Sequence, residues 1–156
     1  MPTCPAITRG AWLGSMTPPA PTRIVLVAAA TAQITTYSVA DVLARQAAGD
    51  TRVQLVDIRD PRELERDGTV PGALLAPRGM LEFWVDPASP YFKPVFADES
   101  REFVLFCGAG WRSALATKTL QDMGMRNVAH IDGGFAAWKK QGAPIETLEA
   151  RKAKKG

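Results

Sequence analysis

Phe103-Val-Leu-Phe106-Cys107-Gly-Ala-Gly-Trp-Arg112-Ser113 decides how this chain folds. Phe103 to Phe106 is a fully apolar run, which predicts a strand buried on both faces of a parallel sheet. The glycine-bearing segment from Gly108 to Arg112 predicts a loop. From Ser113 a helix is expected, with Leu115, Ala116, Leu120 and Met123 facing the core and Gly124 closing it. Strand, small loop and helix together place Cys107 at the carboxyl end of a strand and the N-terminus of a helix.

That position has chemical consequences. Unpaired backbone N–H groups and the positive end of the helix dipole converge there, which favours a thiolate and so a nucleophile. Gly108 and Gly110 let the loop curl with its amides inward, as an anion-binding nest. Arg112 adds a fixed charge whose fork suits an oxyanion or loop carbonyls. A cysteine ending a strand is often only a buried small hydrophobe. With both glycines and the arginine at these spacings, the functional reading is the stronger one.

Outward from this segment the chain alternates strands and helices. Ile34–Tyr37 reads as a strand, and Ser38 caps a helix with Asp41 at its third position and Gly49 as its stop. Val53–Asp57 is a buried strand. Asp60-Pro61-Arg-Glu63 is a helix start that fades at Asp67-Gly68. Ala73–Ala76 is a short strand, Arg78–Glu102 is expected to be irregular, and Asn127–Ile131 is a strand carrying His130. Asp132-Gly-Gly-Phe135 then opens a last helix containing Trp138 and ended by Gly142. The pattern predicts an α/β domain with a mainly parallel sheet and its site beyond the strands' carboxyl ends.

The totals bound the function. The 156 residues, 46% hydrophobic and 22% charged, fit one soluble domain: an irregular leader over 1–21, a domain over 22–148 and a basic tail over 149–156. Arg151, Lys152, Lys154 and Lys155 account for the formal charge of +3, and without those four the body stands at −1. The tail is expected to be solvated and mobile, and no nucleic-acid face is implied. Cys4 and Cys107 are far apart in sequence, and with one histidine they exclude a dedicated structural zinc site or disulfide framework. Ile24–Ala30 is apolar but too short to span a bilayer. A packing helix after Thr22 is favoured over a signal peptide in residues 1–32, so a cytoplasmic location is expected and a periplasmic one is the alternative. Met16 is a further candidate start of translation, since residues 1–15 carry no organised pattern.

Four pieces in order carry a resemblance: Leu55-Val-Asp-Ile-Arg59, Val70-Pro-Gly-Ala73, Cys107-Gly-Ala-Gly-Trp-Arg-Ser113 and Ile131-Asp-Gly-Gly-Phe-Ala-Ala-Trp138. From about Ile34 to Pro144 the chain resembles the rhodanese family of single-domain sulfurtransferases. The resemblance implies five parallel strands flanked by helices, with the active loop after the fourth. It implies that Cys107 accepts a sulfane sulfur as a persulfide, with Arg112 as its catalytic partner. Gly108, Ala109, Gly110, Trp111 and Ser113 would cradle the sulfur with backbone amides. Asp57 and Arg59 would organise the loop's surroundings, against the alternative of a surface ion pair at a strand end. Gly133 and Gly134 would allow close backbone packing, and Trp138 would cover the core. No cofactor or metal is implied. The partners would be a small sulfane donor, a thiol acceptor and a candidate protein acceptor, with neither nucleic acid nor membrane.

The chain departs from the family at Gly68-Thr-Val, where Gly-His-Ile is frequent, so no histidine role carries over there. The loop's only charge is Arg112, which leaves thiosulfate unassigned as the physiological donor. His130 is expected to be a satisfied structural histidine, with a base for Cys107 the lesser reading, and Cys4 an unimportant leader thiol. Two alternatives compete with sulfur transfer. One is a non-catalytic rhodanese-like interaction or sensor module, with the aromatics of 78–102 as a candidate partner or homodimer surface. Those aromatics are expected rather to pack onto their own domain. The weaker alternative is a cysteine-dependent phosphatase or arsenate reductase. Related phosphatases have five residues between cysteine and arginine, whereas Gly108–Trp111 are four.

Overall fold

Alternation along one strand organises the molecule. Phe103, Leu105 and Cys107 point to one face of the sheet, and Val104 and Phe106 to the other, because successive side chains of a strand alternate. The computed structural model describes residues 22–155. In chain order these form α1 (Arg23–Thr31), β1 (Thr35–Tyr37), α2 (Val39–Ala47), β2 (Val53–Asp57), α3 (Pro61–Asp67), β3 (Leu74–Leu75) and α4 (Arg78–Val85). A 3₁₀ turn (Pro94–Ala97), β4 (Glu102–Phe106), α5 (Trp111–Asp122), β5 (Val128–Ile131), α6 (Gly134–Lys140) and α7 (Leu148–Lys155) follow. The five strands pair in parallel in the order β1-β5-β4-β2-β3. This is the expected five-stranded α/β sheet, with the cysteine loop after the fourth strand.

Each face has its own core. Val39, Val42, Leu55, Val104, Phe106, Phe135 and Trp138 fill the side covered by α2 and α6. Val56, Leu81, Phe96, Phe103, Leu105, Ala116 and Leu120 fill the side covered by α4 and α5. Full burial of each large apolar side chain contributes roughly 1.5–3 kcal/mol, so the central strand β4 anchors both layers. The helix starts are chemically specified. Ser38 and Asp41 form a reciprocal capping box, and Asp60 accepts from the Arg62 amide ahead of Pro61.

Several expectations need correction. Arg78–Glu102 is not irregular throughout: α4 buries Leu81 and Val85, spaced one turn apart, and Phe96 packs on Phe103 with ring centroids 5.3 Å apart. Its aromatics divide, Phe96 lying inside while Phe83 and Tyr91 stay exposed. α5 starts at Trp111 rather than Ser113, and Met123 is exposed because the helix ends at Asp122 and turns away from the core. The basic residues expected in a mobile tail lie on α7. There Arg151 donates to the Ala73 carbonyl and, with Lys154, pairs with Glu146, which ties the segment to the domain. The expected helix after Thr22 is present as α1. It buries Ala30 and packs along α5, while Ile24, Val25 and Leu26 face solvent. Among the described residues no helix is long and apolar enough to cross a membrane. Cys4 and the 1–21 leader lie outside the described residues.

Candidate active site

Cys107 continues the inward alternation of β4 one residue past its end, so its sulfur is buried, 1% exposed, under the first turn of α5. Gly110 and Ser113 donate their backbone N–H groups to Sγ at 3.2 and 3.3 Å. The Ser113 hydroxyl stands 3.5 Å from the same sulfur. Gly110 makes this possible by taking φ +100° just before the helix, a conformation that L side chains rarely adopt. The remaining cradle residues, Gly108, Ala109, Trp111 and Arg112, shape the loop without an amide bond to Sγ among the described contacts. Trp111 points outward, with the Arg23 guanidinium 4.2 Å from its ring centroid.

A second helix start clamps the loop from outside. The Phe135 and Ala136 amides donate to the Cys107 and Gly108 carbonyls at 2.7 and 3.0 Å. Gly134, at φ +56°, lies so close that a Cβ there would sit 2.3 Å from the Cys107 carbonyl oxygen. A Cβ on Gly133 would likewise approach that of Ala137 to 2.7 Å. The glycine pair is therefore a docking point for the loop. Trp138 is buried, donates to the Pro144 carbonyl at 2.8 Å and fills the core without lining the cleft.

Asp57 and Arg59 are not a surface pair. They are 0% and 2% exposed, joined by Nε–Oδ1 and Nη2–Oδ2 bonds of 3.0 and 2.9 Å. Arg59 also donates to the Gly68 carbonyl at 2.7 Å and stacks over the Phe135 ring at 3.9 Å. Thr69 donates its hydroxyl to Asp57 at 2.8 Å, so the segment where a histidine is frequent is here part of the Asp57 network. The pair thus connects the end of β2 to Gly68 and, through Phe135, to the helix that holds the cysteine loop. Replacing Arg59 by methionine strands the Asp57 carboxylate inside the protein, and removing one partner of such a pair costs about 3–5 kcal/mol. Chemical denaturation should register that loss, and an unchanged midpoint would contradict it.

Arg112 differs from expectation in its partner. Its guanidinium donates from Nη1 and Nη2 to the two carboxylate oxygens of Glu63, at 2.9 and 3.1 Å, rather than to loop carbonyls. The Glu63 bond raises the guanidinium above its ordinary pKa, and partial burial opposes it. Glu63 is the site residue that sequence reasoning missed. An acid in the first turn of a helix is already accounted for by the helix dipole, and nothing in the local pattern shows that α3 faces the loop. A cleft of about 350 Å³ opens here, lined by Arg59, Glu63, Arg66, Gly108, Arg112 and Lys139 among others. No cluster of three or more His, Cys, Asp or Glu suited to a metal occurs among the described residues.

His130, on β5 and 2% exposed, shares the inner face with Cys107. Its Nδ1 lies 3.1 Å from the Ser113 hydroxyl and its Nε2 3.1 Å from that of Thr36. Both ring nitrogens are satisfied, in line with a structural histidine, and burial holds the ring below its ordinary pKa.

The rhodanese-like domain model matches residues 38–141, which span α2 through α6 and contain every site residue above. A sulfurtransferase from Allochromatium vinosum is 31% identical over 107 residues, covering 69% of this chain and 91% of that protein. A solved structure from Rhodopseudomonas palustris, described as a protein of unknown function and possible tyrosine phosphatase, is 50% identical with a TM-score of 0.77. It covers 85% of this chain and 100% of that one. The polysulfide-sulfur transferase homodimer of Wolinella succinogenes is 29% identical, with a TM-score of 0.58 over 78% of this chain and 84% of that one. A cysteine closing the fourth of five parallel strands, a four-residue loop to its arginine and a family match across two thirds of the chain lead to one conclusion. This chain belongs to the rhodanese-like domain family.

Proposed function

We propose that the chain is a sulfurtransferase that carries sulfane sulfur on Cys107. The observation that carries this reading is the buried Sγ held by the Gly110 and Ser113 amides inside a loop of four residues between Cys107 and Arg112. The Cys107 thiolate attacks the outer sulfur of the donor. A new S–S bond forms, the donor's own bond to that sulfur breaks, and its electron pair leaves with the remainder of the donor, which is sulfite when thiosulfate is used. A thiol, or cyanide in an assay, then attacks the terminal sulfur of the persulfide, and the electron pair of that S–S bond returns to Cys107 as thiolate. The cycle is ping-pong and needs no cofactor. The inward-facing amides of the loop favour negative charge on sulfur, as both the thiolate and the persulfide carry it.

The cleft's charges bear on the donor. Asp57, Glu63 and Asp67 pair with Arg59, Arg112 and Arg66, which leaves Lys139 as the cleft cation with no ion pair among the described residues. So small an excess does not single out a dianion, and a low-molecular-weight persulfide serves as well as thiosulfate. We place the reaction in the cytoplasm, where thiol acceptors keep Cys107 reduced.

The Rhodopseudomonas palustris relative makes phosphatase chemistry the second reading. A phosphoryl group brings three oxygens that need amides around them, whereas this loop aims two amides at one sulfur. The test is a side-by-side assay. Wild-type protein should convert cyanide to thiocyanate and leave aryl phosphates unhydrolysed. Inserting one glycine after Gly110 widens the cradle and should cut sulfur transfer about a hundredfold, the cost of about 1 Å of misplacement. Robust phosphate release by the wild type, lost on mutating Cys107, would overturn the assignment.

A further inference from the structure

The buried Cys107 thiol faces the inner layer on one side, yet an unbroken line of hydrogen-bonding groups leads away from it. Cys107 Sγ lies 3.5 Å from Ser113 Oγ, Ser113 Oγ lies 3.1 Å from His130 Nδ1, and His130 Nε2 lies 3.1 Å from Thr36 Oγ1. The sheet builds this line. β4, β5 and β1 are adjacent, His130 is in register with Leu105 on one side and Thr36 on the other, and Cys107 is the next inward residue after Leu105. Ser113, in the first turn of α5, bridges the step from Cys107 to the ring. Cys107, Ser113 and His130 are each no more than 2% exposed, whereas Thr36 lies on the edge strand with its residue exposed.

We infer that Ser113, His130 and Thr36 form a proton relay that conducts the Cys107 thiol proton to the β1 edge and then holds the thiolate. The inference rests on Cys107 being the nucleophile. In the thiol state Cys107 S–H donates to Ser113, Ser113 O–H donates to His130 Nδ1, and His130 Nε2–H donates to Thr36. Deprotonation shifts each proton one place along the line. Ser113 takes the cysteine proton, His130 Nδ1 takes that of Ser113, Thr36 takes the Nε2 proton, and the Thr36 proton passes to water. One proton leaves, Cys107 becomes anionic, and every relay residue ends neutral. All the bonds now run the other way, with Ser113 O–H donating to Sγ⁻. Ser113 then adds a third donor to the two amides, and return of a proton along the same line resets it.

The ring suits this work because it changes tautomer rather than charge. Burial favours its neutral form, opposed by the Asp132 carboxylate just beyond β5. Ser113 of α5 and Thr36 of β1 face it as neutral hydroxyls, while the nearby Thr117 hydroxyl donates to the Ala129 carbonyl.

The test follows alkylation of Cys107 by iodoacetamide across pH with no sulfur donor present, read by peptide mass so that Cys107 alone counts. Ser113→Ala and His130→Leu should each move the alkylation profile to higher pH and slow the reaction at neutral pH roughly tenfold. The double variant should be no slower than either single one, since both cut the same line. Thr36→Val should slow the reaction while Thr36→Ser, which keeps the hydroxyl, should not. Unchanged profiles in variants that merely melt earlier, or additive effects in the double variant, would overturn the relay. Shifted profiles in a protein that transfers no sulfur would leave the relay standing and defeat only the donor reading.

Discussion

Cys107→Ser should lose sulfur transfer by about a thousandfold or more, the scale seen when an enzyme loses its nucleophile. A serine hydroxyl in the same place still receives the Gly110 and Ser113 amides, but it neither ionises readily nor accepts a sulfane sulfur. The fold should survive, because one buried sulfur gives way to a smaller oxygen whose partners are already in position. Thiocyanate formation measures the activity, and the denaturation midpoint shows that the variant is folded. Cys4→Ser should leave the rate unchanged. A folded Cys107→Ser protein that kept most of its activity would move the nucleophile elsewhere.

The second large effect is expected at Gly134, which contributes no side chain to the chemistry. Alanine there meets two penalties. Its φ of +56° costs an L residue roughly 1–2 kcal/mol, and its Cβ would stand 2.3 Å from the Cys107 carbonyl oxygen, a backbone atom that has no rotamer to change. Relief requires α6 to move off the loop, which breaks the Phe135 and Ala136 bonds to Cys107 and Gly108. Gly134→Ala should therefore lose about 2–4 kcal/mol of stability, counting those two hydrogen bonds, and lower sulfur transfer sharply. Gly142→Ala is the control. It has φ +68° and open space around the added carbon, so it should lose only the conformational part, roughly 1 kcal/mol, and keep its activity. Equal losses at the two positions would show that the close approach to Cys107 contributes nothing.

These two positions show what the sequence could and could not convey. Phe103–Phe106 and Val53–Asp57 read directly as buried strands, and the Ser38 and Asp60 caps fall where their side chains specify. The cysteine loop was legible because its chemistry is local: strand end, glycines, arginine and helix start are contiguous. Glu63 was not, since its contact with Arg112 spans 49 positions and depends on how α3 lies against α5. The Ser113–His130–Thr36 line was hidden for the same reason, as strand order in the sheet decides which residues become neighbours. α4 was masked by Gly79 and by the aromatic residues around its core positions. The burial of Asp57 and Arg59 was also unreadable, because a charged pair at a strand end is solvated unless other elements cover it, and here Phe135 and Gly68 do.

A ping-pong sulfur transfer requires one sulfur atom to rest covalently on Cys107 between the two halves of the reaction. Intact-mass measurement of the wild-type protein after brief exposure to a sulfane donor, and again after cyanide, tests it most directly. The expected result is a gain of one sulfur atom per chain, found on the peptide containing Cys107, removed stoichiometrically by cyanide and absent from Cys107→Ser. Sulfur transfer at full rate with no added mass on that peptide, or the same gain in Cys107→Ser, would contradict it.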